Sequence, residues 1–141
     1  MKRLLFFSIV LLSISSCAQK VETKPNQNKK EIKNSMDTSK LTNEMVKNAI
    51  EALQKGDAKW YSYFTENAVL TDDGRKMDFT KFFADALGHE RFKSIDKVEN
   101  DGKDVYGTFE TEKWGSFKTY FKFHINKDGN IEQLDIGQAN Y

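Results

Sequence analysis

Apolar residues recur at helical spacing in three segments after residue 40. The first covers about residues 41–55 and ends at Gly56, which supplies the left-handed position that helix ends favour. Its apolar face is made of Leu41, Met45, Ala49, Ile50 and Leu53. Asp57 then precedes a shorter helix with four aromatic residues, Trp60, Tyr61, Tyr63 and Phe64. An apolar stripe over residues 79–87, ended by Gly88, predicts the third helix.

The second half of the chain alternates apolar and polar residues, which is the pattern of half-buried strands. Four segments show it, at about residues 92–99, 104–113, 116–126 and 130–138. Turn residues separate them, so consecutive antiparallel hairpins are predicted, and residues 68–71 form an earlier short strand. In the clearest segment Phe117, Phe121 and Phe123 alternate with Lys118, Lys122 and His124, so the Phe residues should face the helices. The layout is α+β, with helices over one face of a sheet.

The start of the chain has the pattern of a bacterial lipoprotein signal peptide. Positive charge at Lys2 and Arg3 precedes an apolar run over residues 4–12 that is too short to span a membrane as a helix, which needs about 20 apolar residues. The run leads to Ile14-Ser15-Ser16-Cys17, an aliphatic residue and two small ones before the only cysteine. We therefore predict cleavage of residues 1–16 and attachment of membrane lipid to Cys17. The alternative is an ordinary cleavage site beside an incidental cysteine.

Residues 17–40 are rich in Lys, Asn and Glu, hold the only proline, and contain few large apolar residues. Such a segment cannot bury enough surface to order itself, so a flexible tether is predicted before a single domain at residues 41–141. Ala18 follows the cysteine where an aspartate commonly retains lipoproteins at the inner membrane. The expected location is the cell envelope, at the outer membrane rather than the inner one.

The charge of residues 41–141 bears on possible partners. These residues hold 14 Lys and Arg against 18 Asp and Glu, which gives a formal charge of −4. Nucleic acid is a poor partner for such a domain, because its binding rests on cationic contacts to phosphate. The same residues include nine Phe, five Tyr and two Trp. The domain therefore has an unusually aromatic interior.

The sequence lacks the residues that several kinds of catalysis and cofactor binding require. The domain has no cysteine, no G-x-S-x-G nucleophile motif and no glycine-rich phosphate loop. His89 follows a predicted helix end and His124 lies on the polar face of a strand, and their spacing is not that of metal ligands. We therefore expect no metal and no cofactor. Asp135, in the last predicted strand, is expected to face outward, although a bulge after Ile131 would alter its facing.

Three stretches, "EALQKGD", "WYSYFTENAVL" and "KDGNIEQLDI", occur in an order that resembles the nuclear transport factor 2-like superfamily, in particular its SnoaL-like and ketosteroid-isomerase-like branch. The resemblance covers about residues 41–141. It implies a cone-shaped fold, in which a curved antiparallel sheet of four to five strands packs on three N-terminal helices around a cavity. It also implies a tendency to form homodimers through the sheet. Members include isomerases, cyclases, dehydratases and binding proteins, so the fold does not fix the function.

The resemblance places Asp72 at the position of the isomerases' general base. The tyrosine that donates to the enolate in those enzymes would fall at Ala49, which cannot donate, and Tyr63 is the substitute we would expect. Asp72 also fits a simple turn in Asp72-Asp73-Gly74, and we favour a solvated turn residue with an ordinary pKa. Six aromatic residues are candidates for the core or for ligand contacts: Trp60, Tyr63, Phe64, Phe83, Phe109 and Phe121.

Three functions remain open from the sequence. The favoured one is a membrane-tethered, non-catalytic domain that binds a small apolar or amphipathic molecule. The first alternative is a small enzyme of the isomerase, cyclase or dehydratase type with Asp72 as general base. The second is a dimeric scaffold with a vestigial pocket. The missing donor at Ala49 favours binding over catalysis.

Overall fold

A computed structural model describes residues 36–141 of the protein. Two α-helices, one 3-10 helix and six strands are found there. In chain order they are α1 (Glu44–Lys55), the 3-10 helix (Ala58–Tyr63), β1 (Phe64–Asp72), β2 (Arg75–Met77), α2 (Phe79–Ala86), β3 (Arg91–Glu99), β4 (Asp104–Thr111), β5 (Gly115–Ile125) and β6 (Ile131–Gln138). Within these residues no helix is long and apolar enough to cross a membrane. The predicted signal peptide and Cys17 lie outside the described residues.

The helices begin and end where the sequence supplies capping groups. The Asn43 side chain accepts the Val46 N–H at 3.2 Å at the start of α1, and the Asp78 side chain accepts the Lys81 N–H at 2.8 Å at the start of α2. Gly56 ends α1 with φ of 63°. A Cβ on Gly56 would lie 2.8 Å from the Cα of Gly88, so a glycine is required where the ends of the two helices meet.

The strands form one mixed sheet in the order β2-β1-β6-β5-β4-β3. All neighbours are antiparallel except β1 and β6, which are parallel. The predicted α+β class is confirmed. The sheet has six strands instead of four to five, because the short β2 pairs with the end of β1, and all three of its residues are exposed. A strand without a buried face leaves no apolar alternation in the sequence.

Register shifts curve the sheet. They occur in β1 between Phe64 and Val69, twice in β3, and in β5 beside Ile125. Each shift is a bulge or similar irregularity that bends its strand and increases its twist. The result is an open, curled sheet whose concave side receives the helices.

The predicted faces of β5 are confirmed. Phe121 and Phe123 are each 2% exposed and lie in the core, and Phe117 is half-buried. On the other face Lys118 and His124 are exposed and Lys122 is half-buried. The helices complete this core with the buried residues Val46, Ala49, Ile50, Ala52 and Leu53 of α1 and Phe83 and Ala86 of α2.

Residues 36–40, the last part of the predicted tether, contact the domain. Met36 packs against the core, and the Lys40 ammonium donates to the carbonyls of Ile95 and Asp96 at 3.3 and 2.9 Å. The Leu41 N–H bonds to the Thr38 carbonyl at 3.0 Å. The packed domain therefore begins a few residues before Leu41.

Candidate ligand cavity

A cavity of about 470 Å³ lies between α2 and the sheet. Its walls come from the end of β1, from α2 and the segment after it, and from β4, β5 and β6. The lining residues are Asp72, Asp73, Phe82, Phe83, Glu90, Phe109, Thr111, Trp114, Phe117, Thr119, Phe121, Ile136, Gly137 and Gln138. The volume is within the range that small-molecule sites occupy, roughly 300–1,000 Å³.

Aromatic rings dominate the apolar walls of the cavity. The ring centroids of Phe109 and Phe121 are 5.3 Å apart, and those of Phe109 and Phe117 are 6.4 Å apart. On the helix side, Phe82 and Phe83 meet edge to face at 5.1 Å. These spacings are the ones that aromatic rings favour, so the walls are packed rather than loose.

Asp72 is the last residue of β1 and lines this cavity. Burial raises the pKa of its carboxyl, the charge of Asp73 raises it further, and Arg75 opposes both. This corrects the expectation of a solvated turn residue with an ordinary pKa. The left-handed turn positions are Asp73 and Gly74, with φ of 47° and 80°. Asp72 is therefore the last residue of β1 and not the first residue of the turn.

A second carboxyl, that of Glu90, lines the same cavity from the segment between α2 and β3. Burial raises its pKa, and the charge of Asp72 raises it further, while His89 opposes the shift. The sequence analysis missed Glu90. Its facing depends on how the chain turns after Gly88, where φ is 87°, and periodicity does not report such a turn.

The polar groups beside the two carboxyls are hydroxyls and backbone. The Thr119 hydroxyl donates to the Gly137 carbonyl at 2.8 Å, and the Thr111 hydroxyl accepts the Trp114 N–H at 2.9 Å. Trp114 itself lies on the turn between β4 and β5 and is 73% exposed. It therefore places an indole ring at the mouth of the cavity, a position that the sequence analysis also missed.

The predicted aromatic residues divide into two groups. Phe83, Phe109 and Phe121 line the cavity, whereas Trp60, Tyr63 and Phe64 are not among its lining residues. Trp60 is fully buried and packs 4.7 Å, between ring centroids, from both Phe64 and Phe83, so it belongs to the core behind the wall. Its indole N–H has no hydrogen-bond partner within residues 36–141.

Ala49, where the family's enolate donor would fall, and Tyr63, its expected substitute, are both outside the cavity. Ala49 is fully buried in α1, and the half-buried Tyr63 packs against the core at the end of the 3-10 helix. The expected substitution of Tyr63 for the missing donor is therefore wrong. Although Tyr63 immediately precedes β1 in sequence, it packs against the core and is not among the lining residues of the cavity.

The remaining polar candidates are not lining residues of the cavity: Asp135 and His124 lie on the outer face of the sheet, and His89 lies between α2 and β3. Asp135 accepts hydrogen bonds from Thr71 and Gln133 at 2.7 and 2.8 Å, and its other oxygen is 2.7 Å from His124 Nε2. Burial alone would raise the pKa of Asp135, but these hydrogen bonds outweigh it and lower the pKa. Asp135 thus faces away from the cavity, as expected. His89 is exposed beside Glu112 at 3.1 Å.

Residues 36–141 contain no group of three or more His, Cys, Asp or Glu side chains placed to hold a metal ion. No family model matches the sequence, and no curated protein matches it.

Solved structures do match. The orange carotenoid protein of Anabaena (Nostoc) sp., with bound canthaxanthin, is 19% identical over 72% of this chain and 37% of its own, with a TM-score of 0.58. A protein from Sphaerobacter thermophilus is 14% identical over 69% of this chain and 94% of its own, with a TM-score of 0.54. The epoxide hydrolase/cyclase-like enzyme SalBIII, which has a role in pyran ring formation in salinomycin, is 19% identical over 68% and 88%, with a TM-score of 0.50.

The fold is consistent with the nuclear transport factor 2-like fold. At these identities the likeness concerns the fold alone. The matched part of this chain spans about 37% of the carotenoid protein, so the activity of that whole protein does not transfer with the fold.

Proposed function

We propose that this protein binds a small, predominantly apolar molecule in the cavity between α2 and the sheet. The observation that carries the proposal is the cavity itself, which has about 470 Å³ of space, walls of Phe rings, and a few polar groups at defined places. This combination is typical of small-molecule sites. The match to part of a protein that binds canthaxanthin is consistent with an apolar ligand.

We further propose that the domain is tethered to membrane through acylated Cys17, at the outer membrane. The support is the Ile14-Ser15-Ser16-Cys17 pattern behind a short apolar run. Mass spectrometry of the membrane fraction should find an acylated N-terminal cysteine, and a Cys17→Ser variant should lose it. A product that is cut elsewhere and is unaffected by Cys17→Ser would contradict the proposal.

Binding is tested by titrating the full chain with neopentylbenzene, a neutral apolar molecule, and following the affinity by calorimetry. Trp114→Ala should weaken binding about tenfold, because it removes one aromatic wall at the mouth. Tyr141→Ala is the matched control, since Tyr141 is also an exposed aromatic residue but lies on the outer face. Failure to bind either this molecule or a positively charged analogue of equal shape, or equal losses in both variants, would contradict the proposal.

Acid–base catalysis in the same cavity is the second candidate function. Asp72 and Glu90 are half-buried there, and burial raises the pKa of both, which is the direction that a general base and a protonated donor require. In an isomerisation Asp72 would take a proton from the carbon next to a ketone and return it two carbons further along. Glu90, when protonated, would donate to the enolate oxygen in place of the donor missing at Ala49.

This candidate is tested with 3-cyclohexen-1-one, whose conjugated product absorbs in the ultraviolet. If the cavity is catalytic, Asp72→Asn should slow the reaction at least about 100-fold. Asp85→Asn, which neutralises an exposed residue of α2 outside the lining, should leave the rate unchanged. No conversion by the native protein would exclude this isomerisation.

The outer face of the sheet offers less support for the scaffold alternative. Lys97 lies 4.5 Å from the Tyr106 ring, and Lys122 lies 5.2 Å from the Tyr120 ring. Lys118 pairs with Asp96 on the same face. A large permanent interface is usually depleted in charge at its centre, so this face does not favour an obligate homodimer.

A further inference from the structure

We infer that the ligand of this cavity is an organic cation, a small apolar body that carries an ammonium-type group between Asp72, Glu90 and the aromatic walls. The inference rests on the proposed binding function, whose ligand it narrows to a chemical class.

The first argument is the sign of the charges that line the cavity. Asp72, Asp73 and Glu90 are carboxylic acids, and no Lys, Arg or His is among the lining residues. The Asp73 carboxylate is engaged, since its Oδ1 accepts the Gln138 N–H at 3.0 Å. Within residues 36–141 the carboxyls of Asp72 and Glu90 form no side-chain hydrogen bond and no ion pair. Two half-buried acids without partners favour a positively charged group over an anion.

The second argument comes from the walls and is independent of the carboxyls. Phe rings from α2, β4 and β5 surround the space. The faces of such rings attract cations, and the attraction increases when the cation is desolvated. The indole of Trp114 already has the Lys113 ammonium 5.1 Å from its centre, so the Phe rings are the ones open to a ligand cation. An uncharged apolar ligand would use the same walls but would leave the two carboxyls without a partner.

The third argument concerns the charged groups around the pair. Arg75 lies on the short edge strand and His89 precedes Glu90, and each favours the ionised form of its neighbouring carboxyl. Neither lines the cavity, and both are exposed. They therefore do not fill the space that a ligand cation would occupy. A cation bound between the carboxyls would lower both of their pKa values, so binding should release protons.

The test compares two molecules of equal shape on the full chain. Benzyltrimethylammonium carries a permanent positive charge, and neopentylbenzene has a carbon in place of the nitrogen. Calorimetry should show the cation binding about tenfold more tightly or better. Because the cation carries no proton of its own, titration near pH 4.5, the ordinary pKa of a Glu carboxyl, in two buffers of different ionisation enthalpy reports protons released by the protein. Release is expected with the cation and not with the neutral molecule.

The double variant Asp72→Asn/Glu90→Gln should reduce the ratio of the two affinities several-fold, to the preference that the aromatic walls alone give, and should abolish proton release. Asp85→Asn removes a charge outside the cavity and should keep both. Equal affinities in the native protein would overturn the inference and leave the proposed function standing, whereas binding of neither molecule would overturn both. An undiminished preference in the folded double variant would also overturn the inference.

Discussion

Asp72 raises the pKa of Glu90, because the two carboxyls line one cavity although they come from the end of β1 and the segment after α2. Each is half-buried, so each also loses some solvation. Two acids that share a desolvated space are unusual in a structural core, where buried charges are paired. This relationship is a further reason, beside the volume and aromatic walls, to regard the cavity as functional.

The coupling predicts the effect of one substitution on the other residue. Asp72→Asn removes a negative charge, so the pKa of Glu90 should fall toward its ordinary value of 4.5. Carbon-13 NMR titration of the Glu90 carboxyl measures this directly. Asp85→Asn removes a charge from the exposed side of α2 and should leave that pKa in place. If both variants have the same effect, the two carboxyls do not interact through the cavity.

The raised pKa values also predict how stability depends on pH. The folded protein holds the protons of Asp72 and Glu90 more tightly than the unfolded chain does, so ionising these groups destabilises the fold at neutral pH. The double variant Asp72→Asn/Glu90→Gln should therefore be more stable than the native protein at neutral pH. The gain should be less than about 1 kcal/mol, because the carboxyls are partly exposed and screened.

This gain should shrink as the pH falls through the raised pKa values and should vanish below the ordinary 3.8 and 4.5, where both groups are protonated in either state. Urea unfolding at a series of pH values measures it. A variant that is less stable at neutral pH would mean that the carboxyls have favourable partners.

Asp96 on the outer face should behave in the opposite way. Its hydrogen bond from Lys118 is the main cause of a pKa of about 2, and its bond from the Tyr141 hydroxyl at 2.7 Å contributes. Its stabilising effect is present above the ordinary value of 3.8 and is lost as the pH falls toward about 2. Asp96→Asn should lower stability at neutral pH by less than about 1 kcal/mol, because this pair is largely exposed.

The same substitution should change Tyr141. Burial, and then the hydrogen bond to Asp96 and its charge, raise the pKa of Tyr141 to about 12. In Asp96→Asn the pKa should fall toward 10, as seen by ultraviolet titration of the phenol. Glu110→Gln, which removes the partner of Arg91 and Lys93 elsewhere on this face, is the control and should leave Tyr141 unchanged. An unchanged Tyr141 in Asp96→Asn would show that the contact does not form.

The curvature of the sheet makes Gly107 irreplaceable in β4. A Cβ there would overlap the carbonyl oxygen of Ser94 in β3, beside a register shift, and a backbone atom cannot rotate away. Gly107→Ala should cost about 3 kcal/mol of unfolding free energy. Gly129→Ala is the comparison, because a Cβ at Gly129 would meet no other atom. The substitution should cost only about 1 kcal/mol of unfolding free energy, for an alanine held at a φ of 86°. Guanidinium unfolding measures both losses. A larger loss of unfolding free energy in Gly129→Ala than in Gly107→Ala would contradict the close approach of β3 and β4 at Gly107.

Much of the fold follows from periodicity. The alternation of residues 116–126 predicted which side of β5 is buried, and Gly56 and Gly88 marked the ends of the helices. What periodicity lacks is information on distant neighbours. The parallel pairing of Thr71 with Asp135, 64 residues apart, depends on where the whole sheet closes. Such long-range pairing is set by packing and not by local pattern.

Only part of the site could be predicted from the sequence, because periodicity reports the facing of residues in helices and strands but not in the connections between them. Phe83, Phe109 and Phe121 lie on regular elements with a clear apolar face, and they line the cavity. Glu90 and Trp114 lie in connections, where facing is set by turn geometry such as the positive φ of Gly88 and Gly115. In a sequence these two residues look like an ordinary solvated acid and an ordinary exposed aromatic.

The most direct test of the account is whether an apolar molecule enters the cavity. Nuclear Overhauser effects between neopentylbenzene and the protein report which side chains surround it. The account predicts contacts to the ring protons of Phe109, Phe117 and Phe121, together with the indole of Trp114 at the mouth. Contacts to Trp114 without any to Phe109 or Phe121 would place the molecule on the surface and contradict the claim that the cavity is a binding site.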